Sequence, residues 1–269
     1  MNSAIATAFE KAAKENRSAF IPFLTAGFPD AASSLELLYV LEDNGADVIE
    51  LGLPFSDPMA DGPVIQNASH QALENGMTPA GVLALAAEAK KRINRPLVVM
   101  SYWNPILKMG PRTFASRAKD AGISGVILPD LPPEEAAPWL DAAAPHGLDT
   151  IFMVAPTTPP ARRAMIMSVS SGFLYYVSLT GVTGSDFKVS NELVEEIKSL
   201  RGMGDLPAAV GFGVSGPEQA RALAGAADGI IVGSALIRRI MAHDNLADQA
   251  GDLADFCSTI GRALHRETL

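Results

Sequence analysis

A single cysteine, Cys257, serves the whole 269-residue chain. One thiol cannot close an internal disulfide, which predicts a reducing compartment and a fold held by its core. Basic side chains are also short: 21 Lys and Arg face 30 Asp and Glu, a formal charge of −9, with no cationic run. That balance excludes nucleic acid as the default partner. No uninterrupted apolar stretch approaches the roughly 18 residues that a membrane span needs. The N-terminus, MNSAIATAFEKAAKEN, carries charges inside its apolar part and has no signal-peptide core. A cytoplasmic protein is expected.

Reactive groups are scarce as well. The four histidines, at 70, 146, 243 and 265, fall on helices or their ends without the paired spacing of a zinc site, so no metal is expected. None of the lysines, at 11, 14, 90, 91, 108, 119, 188 and 198, lies in an apolar run that could present it for a Schiff base. Cys257, within DLADFCSTIGRAL, reads as helix packing rather than a nucleophile.

What is present is a regular grammar. With 48% hydrophobic and 19% charged residues, a large core is expected and wholesale disorder is excluded. No low-complexity tract or Ser/Gly linker divides the chain, so residues 1–269 read as one domain. Eight short apolar runs recur: AFIPFLTAG (19–27), DVIELG (47–52), PLVVMSY (96–102), GVILPD (125–130), DTIFMV (149–154), FLYYVS (173–178), PAAVGFG (207–213) and DGIIVGS (228–234). Each is nearly continuous, as a parallel strand covered on both faces should be. Helical patterns such as SLELLYVLEDNG (34–45) and AGVLALAAEAKKR (80–92) lie between them. Asp30 is placed to cap the first, and Gly45 and Gly122 sit where helices stop. Eight such units after a helix over roughly 3–15 predict an α/β fold, a (β/α)8 TIM barrel with an extra N-terminal helix. An open doubly wound sheet is the alternative, but the G-x-G-x-x-G expected after an early strand is missing.

Barrel chemistry sits at the carboxyl ends of the strands. Three of the late ends are rich in glycine: SLTGVTGSD (178–186), GFGVSGPEQ (211–219) and VGSALI (232–237). Glycine lets backbone N–H groups approach a ligand, and the helices that follow aim positive dipole ends at it. Any one of these loops can be an ordinary turn; two on adjacent late strands predict a phosphate site, with Ser215 and Ser234 as further donors.

After the second run comes IELGLPFSDPMADGPVIQNA (49–68), with Glu50, Asp57 and Asp61 in an apolar, proline-rich stretch. Glu50 ends a strand that should be buried, and desolvation would lift its pKa toward the range useful for proton transfer. A structural carboxylate bonded to loop amides is the other reading. Asp61-Gly62-Pro63 resembles a helix start, so pattern alone favours Asp61 as a cap. Leu53, Pro54, Phe55 and Met59 around Asp57 would form an exposed apolar patch, unless they fold onto the barrel mouth. Phe23, Tyr102, Tyr175 and Phe212 fall near one mouth, as pocket walls for a planar apolar ligand or as core. A carbon–carbon bond-breaking enzyme with this inventory needs a substrate that brings its own electron sink.

Seven segments together resemble the tryptophan synthase alpha subunit family: PFLTAGFPD (22–30), IELGLPFSDPMADGPVIQNA (49–68), MSYWNP (100–105), ILPDLPPEE (127–135), SLTGVTG (178–184), GFGVS (211–215) and IVGSA (231–235). They span residues 20 to 240 in family order, and the 50–63 motif is highly specific. Trp103 and Leu179 are less common choices, which bear on the edge of the site. The resemblance implies a lyase that splits indole-3-glycerol phosphate into indole and glyceraldehyde 3-phosphate. It places the catalytic pair on Glu50 and Asp61, and the substrate walls on Phe23, Tyr102, Tyr175, Thr183 and Phe212. Phosphate would be held at Gly184, Gly213, Gly233 and Ser234, and a partner met at Pro54 and Asp57. It further implies no cofactor on this chain, and a beta subunit carrying pyridoxal phosphate as partner in an alpha2beta2 heterotetramer. A different lyase or isomerase on a phosphate-binding barrel, or a non-catalytic phosphosugar-binding subunit, would keep the glycine loops. The first would not need the carboxylate pair at 50 and 61; the second would need the same pocket but tolerate loss of Glu50.

Overall fold

The computed structural model describes residues 3–177, 189–211 and 213–266. Its strands are β1 (Ala19–Thr25), β2 (Ile49–Gly52), β3 (Leu97–Met100), β4 (Ile123–Ile127), β5 (Asp149–Ile151), β6 (Met153–Val154), β7 (Leu174–Val177), β8 (Ala208–Gly211) and β9 (Gly229–Val232). Every pairing between them is parallel, in the order β5-β4-β3-β2-β1-β9-β8-β7-β6. The ladder looks open at β5 and β6, but these are the two halves of the expected run at 149–154, interrupted at Phe152. Ile151 O accepts from Leu128 N at 3.4 Å on one side, and Phe152 O accepts from Tyr175 N at 3.1 Å on the other. One segment therefore joins both neighbours, and eight staves close the barrel. The two ladders meet that segment at different heights, as the stagger of a closed barrel requires.

The predicted N-terminal helix is α1 (Ala4–Lys14), capped by Ser3 Oγ. Helix α2 (Ala31–Asp43) starts at Asp30, whose carboxylate accepts from Ser33 N at 2.9 Å. Gly45 and Gly122 follow helix ends with φ of 95° and 78°, a conformation that glycine adopts without strain. Cys257 is buried within α12 (Leu246–Ala263), and its thiol is pushed up to about 12 by burial, which suits packing and not nucleophilic attack. No helix among the described residues is long and apolar enough to cross a membrane.

Alternation along the strands divides the core. Ala19 and Ile21 of β1, Val48, Val98, Ile127, Ile151, Phe173, Tyr175, Ala209 and Ile231 share the barrel interior, where α1 contributes Ile5, Phe9 and Ala12. Intervening residues such as Phe20, Leu24, Leu51 and Val99 pack outward with the helices. Close packing of α1 against the amino ends of the strands depends on two glycines. A Cβ on Gly125 would lie 3.0 Å from Ile5 Cδ1, and one on Gly229 would lie 2.8 Å from Phe9 Cε1. That end of the barrel is filled, which leaves the carboxyl ends to hold the site.

Candidate active site

The two-residue period that turns Val48 inward also turns Glu50 inward, where it pairs in register with Phe23 of β1 and Val98 of β3. Its side chain is buried, and Oε2 has no hydrogen-bond partner among the described residues. A carboxylate in such a place is costly, so the carboxyl is pushed up to about 8, chiefly by burial and then by the charge of Asp61. At neutral pH Glu50 is a carboxylic acid with a proton to give.

Asp61 is not the helix cap that its sequence context suggested. Helix α3 (Pro63–Glu74) has Gly62 at its N-cap, with no side-chain bond to the helix. Asp61 stands one position too early, and Pro63 removes one N–H that a cap would otherwise serve. Its backbone is held by Asp61 N donating to Pro58 O at 3.0 Å and by Gln66 Nε2 donating to Asp61 O at 2.8 Å. Its carboxylate is left to accept a hydrogen bond from the Tyr102 hydroxyl at 3.1 Å. Burial raises its pKa to about 6, with the Tyr102 hydrogen bond working in the other direction. Two carboxyls close enough for the charge of one to raise the other thus differ in protonation near neutrality.

Three aromatic side chains stand around them. Phe23 is buried with its ring over Gly52, where a Cβ would lie 2.5 Å from Phe23 Cζ. Tyr175 is buried in the barrel, and its phenol is pushed well up by burial and by the charges of Glu50 and Asp61. Tyr102 is buried beside Phe55, ring centroids 5.4 Å apart, and its hydroxyl also accepts from Ala60 N at 2.9 Å. That hydroxyl ties Tyr102 to Asp61 and to the loop before α3, contacts that the sequence did not suggest. A cavity of about 390 Å³ opens beside it, lined by Phe55, Asp57, Met59, Tyr102, Asn104 and Asp130 among others.

On the far side, β8 and β9 are neighbours, so the loops after them adjoin. Gly213 has a φ of 81°, which only glycine takes readily. Helix α11 (Ser234–Met241) begins at Ser234 with Gly233 as an N-cap that makes no side-chain bond to the helix. Thr183, Gly184 and Phe212 lie outside the described residues.

The expected exposed patch is largely absent. Leu53 and Pro54 are buried and Phe55 is half-buried, because their apolar surface gains more from the barrel mouth than from water. Pro54 therefore offers no surface to a partner in this conformation, whereas Asp57 is exposed and Met59 is 92% exposed. Sequence reasoning passed over Asn104 and Asp130. The signal for Asp130 was available, since it closes the fourth apolar run as an acid at a strand end.

A family profile described as tryptophan synthase alpha chain matches residues 9–265. The chain belongs to the tryptophan synthase alpha chain family. It is 47% identical over 236 residues to the tryptophan synthase alpha chain of Geotalea uraniireducens, covering 88% of each. It is 45% identical over 264 residues to that of Chloroflexus aurantiacus, covering 97% of this chain and 99% of the other. Among solved structures, it resembles Mycobacterium tuberculosis tryptophan synthase with a TM-score of 0.90 and 37% identity, over 99% of this chain and 100% of that one. The tryptophan synthase alpha chain of Legionella pneumophila gives 0.90 and 36%, over 98% of both. Tryptophan synthase alpha chains are lyases that cleave indole-3-glycerol phosphate to indole and glyceraldehyde 3-phosphate, the alpha half-reaction of tryptophan biosynthesis. The barrel expected from eight apolar runs is the fold this family shares.

Proposed function

We propose that Glu50 and Asp61 perform this cleavage on the present chain. The supporting observation is the pair of desolvated carboxyls, Glu50 at about 8 and Asp61 at about 6. Between those values one donates a proton while the other is an anion. Glu50 gives its proton to C3 of the indole ring, which becomes an iminium with its positive charge on N1. Asp61 accepts a hydrogen bond from N1–H and stabilises that charge as it develops. The bond from C3 to the glycerol carbon then breaks, and its electron pair returns to the ring. The hydroxyl on that carbon becomes the aldehyde of glyceraldehyde 3-phosphate, and its proton goes to Glu50. Atoms and charge balance, the ring serves as its own electron sink, and the acid is regenerated.

Phe23, Tyr102, Tyr175, Thr183 and Phe212 wall the indole in this reading, and Gly184, Gly213, Gly233 and Ser234 hold the phosphate. The chain uses no cofactor of its own and passes indole to a beta subunit bearing pyridoxal phosphate, in an alpha2beta2 assembly in the cytoplasm. Asp57 and Met59 are among the exposed groups of the β2–α3 loop that such a partner would meet. The test is Glu50→Gln, which keeps the shape and removes the titrating proton. Turnover of indole-3-glycerol phosphate should fall by about 10² to 10⁴ while ligand affinity persists. Near-normal cleavage by this variant would leave Glu50 a structural carboxyl and the proton-transfer role elsewhere.

A further inference from the structure

We propose that Asp130 is a positioning residue for Asp61, acting through the start of one helix and the ring of Tyr102. The proposal rests on the reading of Asp61 given above. Helix α5 (Trp103–Met109) has Tyr102 as its N-cap, and Tyr102 makes no side-chain bond to that helix. The missing acceptor comes from another loop: Trp103 N donates to Asp130 Oδ1 at 2.9 Å. Asp130, three residues past the end of β4, therefore fixes the backbone from which the Tyr102 side chain departs. At its tip the same side chain donates to Asp61 Oδ2 at 3.1 Å and accepts from Ala60 N at 2.9 Å. Between root and tip the ring is buried and rests on Phe55.

A tyrosine side chain is a long rigid arm on two torsions. A small rotation at its root becomes a larger displacement at the hydroxyl. At 3.1 Å the bond to Asp61 is already just beyond the usual O–H···O range of about 2.5–3.0 Å, so a modest displacement breaks it. Without it, burial of Asp61 goes unopposed and its carboxyl titrates at higher pH. A purely electrostatic effect of Asp130 on Asp61 would work the other way. A nearby anion raises the pKa of a carboxyl, so removing that charge alone lowers it. Positioning and charge thus predict opposite signs.

The experiment compares Asp130→Ala with Asp130→Asn in the full chain. It reads the pH dependence of kcat/KM and a carbon NMR titration of the Asp61 carboxyl. The alanine variant should raise the Asp61 titration by about one unit and cost about tenfold in kcat/KM on the acid side, with little loss near the alkaline limb. The asparagine variant keeps the acceptor for Trp103 N and should titrate at or slightly below the parent. Tyr102→Phe should reproduce the alanine shift, and adding Asp130→Ala to it should shift Asp61 no further upward. An unmoved Asp61 in Asp130→Ala, or equal shifts in the alanine and asparagine variants, overturns the proposal. Asp61→Asn with undiminished cleavage would instead remove the catalytic reading of Asp61, while the NMR titration still judges Asp130.

Discussion

The hydroxyl of Tyr175 fills the space into which a side chain on Gly211 would point. The two lie on neighbouring strands, with Gly211 opposite Val177, two residues along from Tyr175, so the phenol reaches diagonally across the β7–β8 pair. Gly211 is therefore a requirement of Tyr175 and not of the turn that follows it. Gly211→Ala should leave the barrel folded but displace the phenol, with a loss of cleavage of about 10²-fold, the cost that a misplacement of about an ångström can carry. Shortening Tyr175 to Val in the same chain opens the space, so the double variant should be more active than Gly211→Ala alone. Steady-state kinetics on the three variants checks this; losses that simply add would mean the two positions act independently.

The roles proposed for the two carboxyls give the reaction a bounded pH range. Asp61 must be an anion, so activity is lost as pH falls through about 6. Glu50 must carry a proton, so activity is also lost as pH rises through about 8. The profile of kcat/KM should be a bell with limbs near those values, and Asp61→Asn should remove the acid limb from whatever activity remains. A profile flat from about pH 5 to pH 9 would contradict the assignment of both groups.

Much of this arrangement was legible in the sequence because it is carried by local pattern. Continuous apolar runs fixed eight strands, and an acid in the middle of such a run marked Glu50. Asp61 misled because the residues that decide its role are distant: the Tyr102 hydroxyl comes from 41 positions away. A one-residue offset between Asp61 and the helix cap at Gly62 cannot be read from Asp-Gly-Pro alone. The patch around Asp57 failed for a related reason, since Leu53 and Pro54 are buried by a barrel mouth built from other strands. Phe152 escaped notice because a closed ring divides a single strand between two ladders, which periodicity does not record.

Holding Glu50 inside the barrel costs stability, and the cost depends on pH. Its folded carboxyl titrates at about 8 against an ordinary 4.5. Between those values the unfolded chain has released the proton and the folded chain has kept it, so stability declines as pH rises and levels off above about 8. At about 1.4 kcal/mol per unit, the full span amounts to something on the order of 5 kcal/mol. Glu50→Gln has nothing to titrate. It should match the parent near pH 4.5 and become progressively more stable by comparison up to pH 8, read as melting temperature across that range. A constant offset at all pH values would show that burial of the charge is not what the folded chain resists.

Asp57 and Asp61 share one short loop, and the hydrogen bonds between them offer a route from the surface to the site. Asp57 is exposed, with Ser56 Oγ donating to its carboxylate at 2.6 Å. Met59 N donates to Asp57 O at 2.9 Å, Asp61 N donates to Pro58 O at 3.0 Å, and Ala60 N donates to the Tyr102 hydroxyl. A partner that seats Asp57 and Met59 would therefore bear on the backbone that carries Asp61 and on the ring that bonds it. Met59, 92% exposed, gives such a contact apolar area, and Asp57 gives it a charge to match. The expected behaviour is a population shift: the isolated chain cleaves slowly, and a beta subunit accelerates it by favouring the productive position of Asp61. Asp57→Ala should weaken the complex by roughly tenfold, about 1.4 kcal/mol, and should lower the acceleration more than the basal rate. Titrating a beta subunit into the chain while following both complex formation and indole release separates these effects. Neither complex nor acceleration would refute the partnership and leave the lyase chemistry of Glu50 and Asp61 standing. Complex formation without acceleration would mean that docking does not reach Asp61 through this loop.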